Sequence, residues 1–438
     1  MTVDQAQRAD VRASTGSDGA RAQLARFLQA MQPSRVGPRL DAVVKGQPTP
    51  IHVLDAKYEP GARAMLLYRR GADLFVGALL PDEGGQGPGC VVPPGVQLWR
   101  FPIDPALPTL PRVMDHDVLG AALAEAVGRP SYSSTGRAAR SRTSLLRFRP
   151  GKRVTLLTAL VGDRAKYVVK AYHDAEKAAV VAAEGPRLTA AAIGSDTLAL
   201  APRVTHIADL RVVVQQAVSG VPLDILTGCA SWPTAAAAVA ASARALAEFH
   251  QLAVVTGRER PVAGELSRFR ARATAIGGVD HHVGDALEAL ADRLLTQHGE
   301  LPAPWVGLVH GDCKPGQFLV AGRIHLVDLD HVGVSDQAVD VGTFLASLHQ
   351  RDIRRRPGRR CLEPSAAVVA LSRSFLNAYR DVRGPILDPA RIRWHVAAAL
   401  ERKALRAFAR APASPLPLAL AAEANRCLDG LEGERRQW

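Results

Sequence analysis

The sequence has little of several features that mark particular classes of protein. Its 438 residues include five cysteines, scattered without a CxxC pair or a Cys/His cluster at zinc spacing. We therefore expect neither a disulfide framework nor a structural metal. No window approaches the roughly 18 apolar residues that span a bilayer, and the polar start lacks the basic and apolar regions of a signal peptide. These absences predict a cytoplasmic protein with no membrane contact.

Lysine is scarce although the chain is strongly basic. Net charge is +13, from 55 Lys and Arg against 42 Asp and Glu, and such a balance attracts polyanions in general. Only eight of the basic residues are lysines: Lys45, Lys57, Lys152, Lys166, Lys170, Lys177, Lys314 and Lys403. A lysine inside a motif is therefore informative in this chain.

Arginines are clustered in the run 351–360 (RDIRRRPGRR). Clustered arginines neutralise phosphates, so this run allows a nucleic-acid interpretation. No aromatic residues interleave it, and no recognition motif accompanies it. An exposed loop between helices is the interpretation we prefer, and we expect no nucleic-acid partner.

The remaining composition, with 47% apolar and 22% charged residues, is that of an ordinary globular protein. From about 41 to 111, short apolar runs broken by Gly and Pro predict a meander of strands. The pattern recurs about 90 residues later: 57–63 (KYEPGAR) and 147–153 (RFRPGKR) each precede a strand, a glycine turn and a strand. We interpret this as a duplicated β-meander, whose first copy caps the second or docks substrate.

Helical patterns dominate after Lys170, with one interruption near 305–335 by a loop and a short strand pair. Strands followed by helices predict an α+β, two-lobed unit with its site at the lobe junction. The predicted segments are a flexible tail with a short helix, a β-rich accessory domain, a β-rich N-lobe, and a helical C-lobe with the catalytic loop. Their predicted limits are 1–35, 36–130, 131–220 and 221–438.

Two carboxylates mark the interruption. Asp312 lies in a loop between two apolar runs, and Asp328 ends the following predicted strand, with Gln317 between them. A hairpin of this kind can bring both acids to one mouth. Magnesium prefers hard oxygen ligands and often uses one or two carboxylates with substrate phosphates. Phosphoryl transfer needs that metal, a lysine for the nucleotide phosphates, and an acid that orients the attacking hydroxyl.

These residues occur in a pattern that resembles a known family. The segment His310-Gly311-Asp312, Gln317, Val327-Asp328-Leu329-Asp330 and Ser335-Asp336 with Asp340 is similar to the catalytic segment of the aminoglycoside phosphotransferase and choline kinase-like family. Upstream, Val168-Val169-Lys170, Glu184 and the LAEFH helix segment match further family motifs. The resemblance covers about 140–350 and implies a bilobal, protein kinase-like fold, extended here by the N-terminal β-meander domain.

The resemblance implies roles for residues of the catalytic segment. Asp312 is the expected catalytic base or hydroxyl-orienting acid, and Asp328 an expected magnesium ligand. Gln317 takes the place of the second metal ligand, where the family usually has asparagine. Lys314 can neutralise charge on the transferring phosphoryl group, although a solvated side chain is an equal alternative.

Other roles concern the nucleotide. Lys170 is expected to bind the ATP phosphates, and Glu184 to hold Lys170, with Glu176 as a rival at helical spacing. The hinge against the adenine edge is expected at Gln215, Gln216, Ala217 and Val218. His310, Asp336 and Asp340 are expected to hold the loop without taking part in the chemistry.

The sequence thus predicts an ATP- and magnesium-dependent O-phosphotransferase. The expected acceptor is a hydroxyl of a small molecule, such as a sugar or an aminoglycoside-like metabolite. Helices within 255–300 and 365–410 are expected to line its pocket, and a polycationic acceptor would require an acidic lining. One alternative acceptor is Ser or Thr of a precursor peptide in natural-product biosynthesis. A further alternative is a nucleotide-binding pseudokinase that recruits a protein partner through its N-terminal domain.

Overall fold

The computed structural model describes residues 18–43, 49–80, 90–131, 139–254, 256–356, 363–385 and 388–435. The chain begins with two helices, α1 (18–30) and α2 (Pro33–Val43). Phe27, part of the predicted short helix, is fully buried in α1. The predicted tail before this helix and positions 357–360 of the arginine run lie outside the described residues.

The first sheet is an antiparallel meander of five strands in the order β1-β2-β3-β5-β4. Its strands are β1 (Ile51–Glu59), β2 (Arg63–Arg70), β3 (Asp73–Leu79), β4 (Cys90–Val92) and β5 (Val96–Arg100). Two short helices follow, α3 (Leu110–Met114) and α4 (His116–Ala126).

The second sheet repeats the first three strands of the meander and adds two more, in the order β10-β11-β8-β7-β6. Its members are β6 (Ser141–Arg149), β7 (Arg153–Leu160), β8 (Lys166–Tyr172), β10 (Arg203–Ile207) and β11 (Val212–Gln216). Helix α5 (Ala175–Ala191) and strand β9 (Leu198–Leu200) lie between β8 and β10 in the chain. Strands β1 and β6 each start a three-stranded antiparallel meander. In both meanders a Pro-Gly turn joins the first strand to the second.

The first sheet is buried on both faces. Leu67 and Val76 belong to one core with Val154 and Val169 of the second sheet. On the opposite face, Tyr58, Leu66 and Tyr68 belong to the large core of the helical lobe. Burial on both faces explains why β2 and β3 read as nearly continuous apolar runs rather than as alternating ones.

The C-terminal lobe is helical, with short strands around the catalytic loop. Its helices are α6 (Leu223–Cys229), α7 (Trp232–Phe249), α8 (Val262–Gly277), α9 (His281–His298), α10 (Ala338–Arg355), α11 (Ala366–Arg383), α12 (Pro389–Arg410) and α13 (Leu416–Arg435). Its strands are β12 (Val221–Pro222), β13 (Val306–Val309), β14 (Phe318–Val320), β15 (Ile324–Leu326) and β16 (Gly333–Asp336). Phe408 on α12 lies near Tyr58 of β1, with ring centroids 6.5 Å apart, and so joins the lobe to the first sheet.

The predicted α+β class, with a β-rich N-lobe, a helical C-lobe and an additional N-terminal meander, is confirmed. The domain limits themselves stay a prediction. Helices α3 and α4 fall within the segment predicted as the accessory domain, yet their Leu110 and Leu119 pack in the core of the second sheet.

The cysteines and the apolar content of the helices can be examined in the described part of the chain. Its cysteines, Cys90, Cys229, Cys313 and Cys427, are free thiols. Among the helices described, none is long and apolar enough to cross a membrane.

Close packing of α10 against α12 generates a stability prediction. A Cβ at Gly342 would lie 2.6 Å from the backbone carbonyl carbon of His395, which is shorter than a normal van der Waals contact. We expect Gly342→Ala to lower the free energy of unfolding by about 1–3 kcal/mol, because the two helices must separate. Urea denaturation measures this change.

Gly264→Ala is the matched control, because its nearest neighbour is the far end of Arg268 at 3.9 Å. Alanine should stabilise that half-buried helical position by about 0.5–1 kcal/mol. If Gly342→Ala were as stable as the wild type, this result would contradict the close packing of α10 on α12.

Candidate active site

Strand β8 places Lys170 in the interior of the second sheet. Lys170 is paired in register with Thr155 of β7 and Val213 of β11. Side chains alternate along a strand, so Tyr167, Val169 and Ala171 enter the core with the first sheet, while Lys170 points to the other face. Its ammonium therefore projects from a rigid support toward the lobe junction.

A compact charge cluster occupies that junction. The Nζ atom of Lys170 lies 2.6 Å from Asp328 Oδ1 and 2.9 Å from Asp330 Oδ1. Arg153 of β7 also pairs with both acids, at 3.2 Å from Asp328 Oδ1 and closely with Asp330. The hydroxyl of Tyr172 donates to Asp330 Oδ2 at 2.9 Å. Two cations from the N-lobe thus meet two carboxylates from the C-lobe.

Asp328 has an unusual backbone and a perturbed side chain. It follows β15 rather than ending it, and its φ of 65° lies in the left-handed region that few non-glycine residues adopt. Such conformations concentrate at functional sites. Burial would raise the pKa of Asp328, but Lys170 and Arg153 outweigh it and hold the pKa well below its ordinary value.

Asp340 holds the loop that carries Asp312. The Asp340 carboxylate accepts hydrogen bonds from the backbone N–H of His310 at 2.5 Å and of Gly311 at 2.9 Å. His250 lies 3.1 Å from the same carboxylate. His310 donates from Nε2 to the carbonyl of Val327 at 3.0 Å, which leaves its Nδ1 to accept from the N–H of Asp312 at 3.3 Å.

Asp336 anchors the other end of the catalytic segment. Its carboxylate is bound by Arg391 at 2.8 Å through Nε and by His395 at 2.8 Å, both from α12. Burial opposes ionisation, yet His395 and Arg391 lower the pKa of Asp336 to about 2. His310, Asp336 and Asp340 thus make the structural contacts expected of scaffold residues.

Asp312 and Lys314 form a close ion pair at the mouth of the site. Burial acts to raise the pKa of Asp312, but the Lys314 ammonium, with Arg406 and His310, lowers it to about 2. Asp312 is therefore ionised at neutral pH and able to accept a hydrogen bond from a hydroxyl. His310 links the segments of the two acids, because it binds both the N–H of Asp312 and the carbonyl of Val327, which precedes Asp328.

Gln317 lies beside Asp328. Its side-chain nitrogen donates to Asp328 Oδ2 at 3.2 Å, and Gln317 is buried in the 3-10 turn Pro315–Gln317. A carboxylate and an amide carbonyl are hard oxygen donors of the kind magnesium takes together with phosphate oxygens. The side chains present therefore fit the predicted metal. The described residues hold no group of three or more His, Cys, Asp or Glu that would bind a metal by themselves.

Glu184 and the predicted hinge both follow Lys170 in the chain. Glu184 on α5 forms an ion pair with Arg258 at 3.2 Å. Gln215 and Gln216 end strand β11, which pairs with β8, and the N–H of Ala217 donates to the carbonyl of Lys166 at 2.8 Å. Val218 follows before β12. The pairing of Glu184 with Lys170 and the adenine contact of the hinge stay predictions.

A cavity of about 440 Å³ opens beside Asp312 and Lys314. Its walls come from β1 and β2 of the first sheet, the Pro150-Gly151 turn, α8 and α12. Lys170, Asp328 and Gln317 do not line it. Of the predicted catalytic and metal residues, Asp312 and Lys314 thus face the cavity.

Sequence reasoning assigned no role to several residues of the site. Arg153 and Asp330 complete the charge cluster, although Asp330 stood inside the quoted motif. On α12, Arg402, Arg406 and Arg410 line the cavity. Their spacing of four places them on one helix face, and the sequence alone shows this spacing.

Residues 154–367 match the model of the phosphotransferase enzyme family. This segment belongs to that family. The match confirms the resemblance drawn from the HGD and VDLD motifs, and it supports a phosphotransferase activity. None of the curated proteins matches the sequence.

Solved structures of several kinases resemble the phosphotransferase chain. A glucosamine kinase in complex with glucosamine, ADP and inorganic phosphate is 17% identical over 92% of this chain and 98% of its own, with a TM-score of 0.45. A choline kinase from Cryptosporidium parvum Iowa II is 10% identical over 67% and 90%, with a TM-score of 0.46. The ADP-bound aminoglycoside phosphotransferase APH(2'')-Ib is 12% identical over 65% and 92%, with a TM-score of 0.45.

The ion pair in the phosphotransferase loop yields a prediction about pKa. We expect Lys314→Met to raise the pKa of Asp312 above its value of about 2, because burial keeps opposing ionisation while the ammonium is gone. Carbon-13 NMR of labelled aspartate measures the titration. The acid limb of any activity profile should move to higher pH by the same amount.

Lys166→Met is the control, because Lys166 is exposed at the start of β8. It should leave the titration of Asp312 unchanged. An unaltered pKa of Asp312 in Lys314→Met would show that the ion pair does not set its ionisation.

Proposed function

We propose that this phosphotransferase moves the γ-phosphoryl group of ATP, with magnesium, to a hydroxyl group of a small molecule. One observation carries the proposal. An ionised acid, Asp312, lines a cavity of small-molecule size. Its backbone is joined through His310 to Val327, the chain neighbour of the Asp328 that binds Lys170. A volume of about 440 Å³ lies within the range of about 300–1,000 Å³ typical of small-ligand sites.

Asp312 is the proposed partner of the acceptor hydroxyl. A carboxylate with a pKa of about 2 is a weak base, so its main contribution is to orient the hydroxyl and take its proton late in the transfer. This suits phosphoryl transfer, whose loose transition state depends chiefly on positioning and on charge stabilisation. Lys314, within reach of Asp312, can stabilise charge on the transferring group.

Lys170 is the proposed ligand of the nucleotide phosphates. Its ammonium binds Asp328 and Asp330, so phosphate oxygens would exchange with carboxylates that already neutralise it. Asp328 and Gln317 would hold the magnesium ion, which when bound neutralises charge on the phosphates. For Glu184 we retain the proposed contact with Lys170, and for the segment from Gln215 to Val218 the proposed contact with the adenine.

The role of Asp328 is tested by nucleotide binding. We expect ATP to bind more tightly with magnesium than without it, and Asp328→Asn to remove this difference, because the amide carries no negative charge. Titration calorimetry with and without magnesium measures both proteins. Asp285→Asn, an exposed change on α9, is the matched control and should behave as wild type.

The role of Asp312 is tested by turnover. We expect Asp312→Asn to lower the rate of ATP consumption by roughly 10²–10⁴-fold, because the acid no longer takes the proton. ADP release gives the rate, while calorimetry should show unchanged binding of ATP with magnesium. Undiminished turnover would refute the assignment of Asp312. Magnesium-dependent binding without turnover in the wild type, under any acceptor, would instead support the pseudokinase alternative.

A further inference from the structure

The cavity beside Asp312 is unusually basic. Ten Lys and Arg side chains line it, against four carboxylates, one of which is Asp312 itself. The cations come from separate parts of the fold: Lys57 of β1, the turn after β6, helix α8, the catalytic loop and helix α12. A concave site lined by charges of one sign attracts ligands that carry the opposite charge.

Some of these cations are already neutralised by the protein. Arg402 binds Glu265 at 2.6 Å, Arg272 lies 3.4 Å from Glu59, and Arg410 lies 3.7 Å from Asp55. Lys314 pairs with Asp312. These pairs account for most of the carboxylates available at the cavity.

Five other cavity cations have no such partner. Within the described part of the chain, the cavity residues that form no ion pair with a carboxylate are Arg149, Lys152, Arg260, Arg268 and Arg406. Arg260 binds the backbone carbonyl of His331 instead. Lys152, Arg268 and Arg406 keep part of their surface exposed to solvent. Surrounding protein nevertheless desolvates Lys152 and Arg406 and lowers their pKa values.

Desolvation and the crowding of like charge together lower the pKa of two residues of this group. Desolvation, with Lys57 and Arg63 nearby, lowers the pKa of Lys152 to about 8. Desolvation, with Arg147 and Arg153, lowers the pKa of Arg149 to about 10. A bound anion would relieve this repulsion, since it supplies the counter-charge that the protein omits.

We infer that the acceptor hydroxyl belongs to an anionic small molecule, whose phosphate or carboxylate group is bound by Arg406, Arg268 and Lys152. This inference rests on the proposed function and deepens it. Arg406 is close enough to contribute to the low pKa of Asp312, so an anion held there brings neighbouring hydroxyls to the acid. The basic lining opposes a polycationic, aminoglycoside-like acceptor, which would meet the same charge as its own.

The test uses four hexoses that share a ring and differ in charge: glucose, glucosamine, glucuronate and glucose 6-phosphate. Titration calorimetry on the full chain without nucleotide measures their binding. We expect both anionic sugars, or one of them, to bind at least about tenfold more tightly than glucose, and glucosamine to bind more weakly than glucose. The comparison of glucuronate with glucose 6-phosphate distinguishes a carboxylate site from a phosphate site.

The double variant Arg268→Gln/Arg406→Gln should lose at least about tenfold in affinity for the anionic sugar. Arg373→Gln/Arg380→Gln is the matched control, since it removes two exposed arginines of α11 outside the cavity. Tighter binding of glucosamine, unaltered anion binding in the cavity variant, or no binding of either anionic sugar at millimolar concentration would overturn the inference.

Binding of ATP with magnesium, measured on the same proteins, keeps the two proposals separate. Charge-selective sugar binding without magnesium-dependent ATP binding would support the anion site and refute the kinase function. Normal ATP binding and turnover with no preference for anionic sugars would support the kinase function and refute the anion site. The double variant should retain wild-type ATP binding, because neither arginine belongs to the cluster around Lys170.

Discussion

The charge cluster at the lobe junction is the interaction on which the rest of the site depends. Lys170 and Arg153 come from the second sheet, and Asp328 and Asp330 from the segment after β15. Asp330 is fully buried, so its charge is tolerable only because two cations and the hydroxyl of Tyr172 bind it. The cluster therefore fixes the position of one lobe against the other at the place where a nucleotide would bind.

A second set of buried contacts fixes the catalytic loop independently of that cluster. Asp340 holds the backbone of His310 and Gly311, and Asp336 is held by Arg391 and His395 of α12. Helix α12 consequently has two functions in the fold. One face supports the catalytic segment and the core, while another presents Arg402 and Arg406 to the cavity.

The N-terminal meander completes the cavity rather than standing apart from the catalytic unit. Its first sheet lies between the second sheet and the helical lobe, and Asp55 and Lys57 reach the cavity wall. The two meanders share strand order and Pro-Gly turns but differ in the third strand, where only the second copy has a lysine. The first sheet, which lacks that lysine, can enclose a ligand beside the site to which the second sheet contributes Lys170.

The sequence by itself determined the fold class, the duplicated meander and the catalytic segment, because these depend on local patterns. Alternating and continuous apolar runs define strands, and the motif around Asp312 and Asp328 has fixed spacing. Tertiary structure alone decided which charges meet. The partners of Lys170 are 158 and 160 residues away in the chain, and the arginines of α8 and α12 face one cavity only after the lobes have packed. Charge on a helix face is ordinary in a sequence, and it becomes a candidate binding site only when the fold gathers several such faces around one ionised acid.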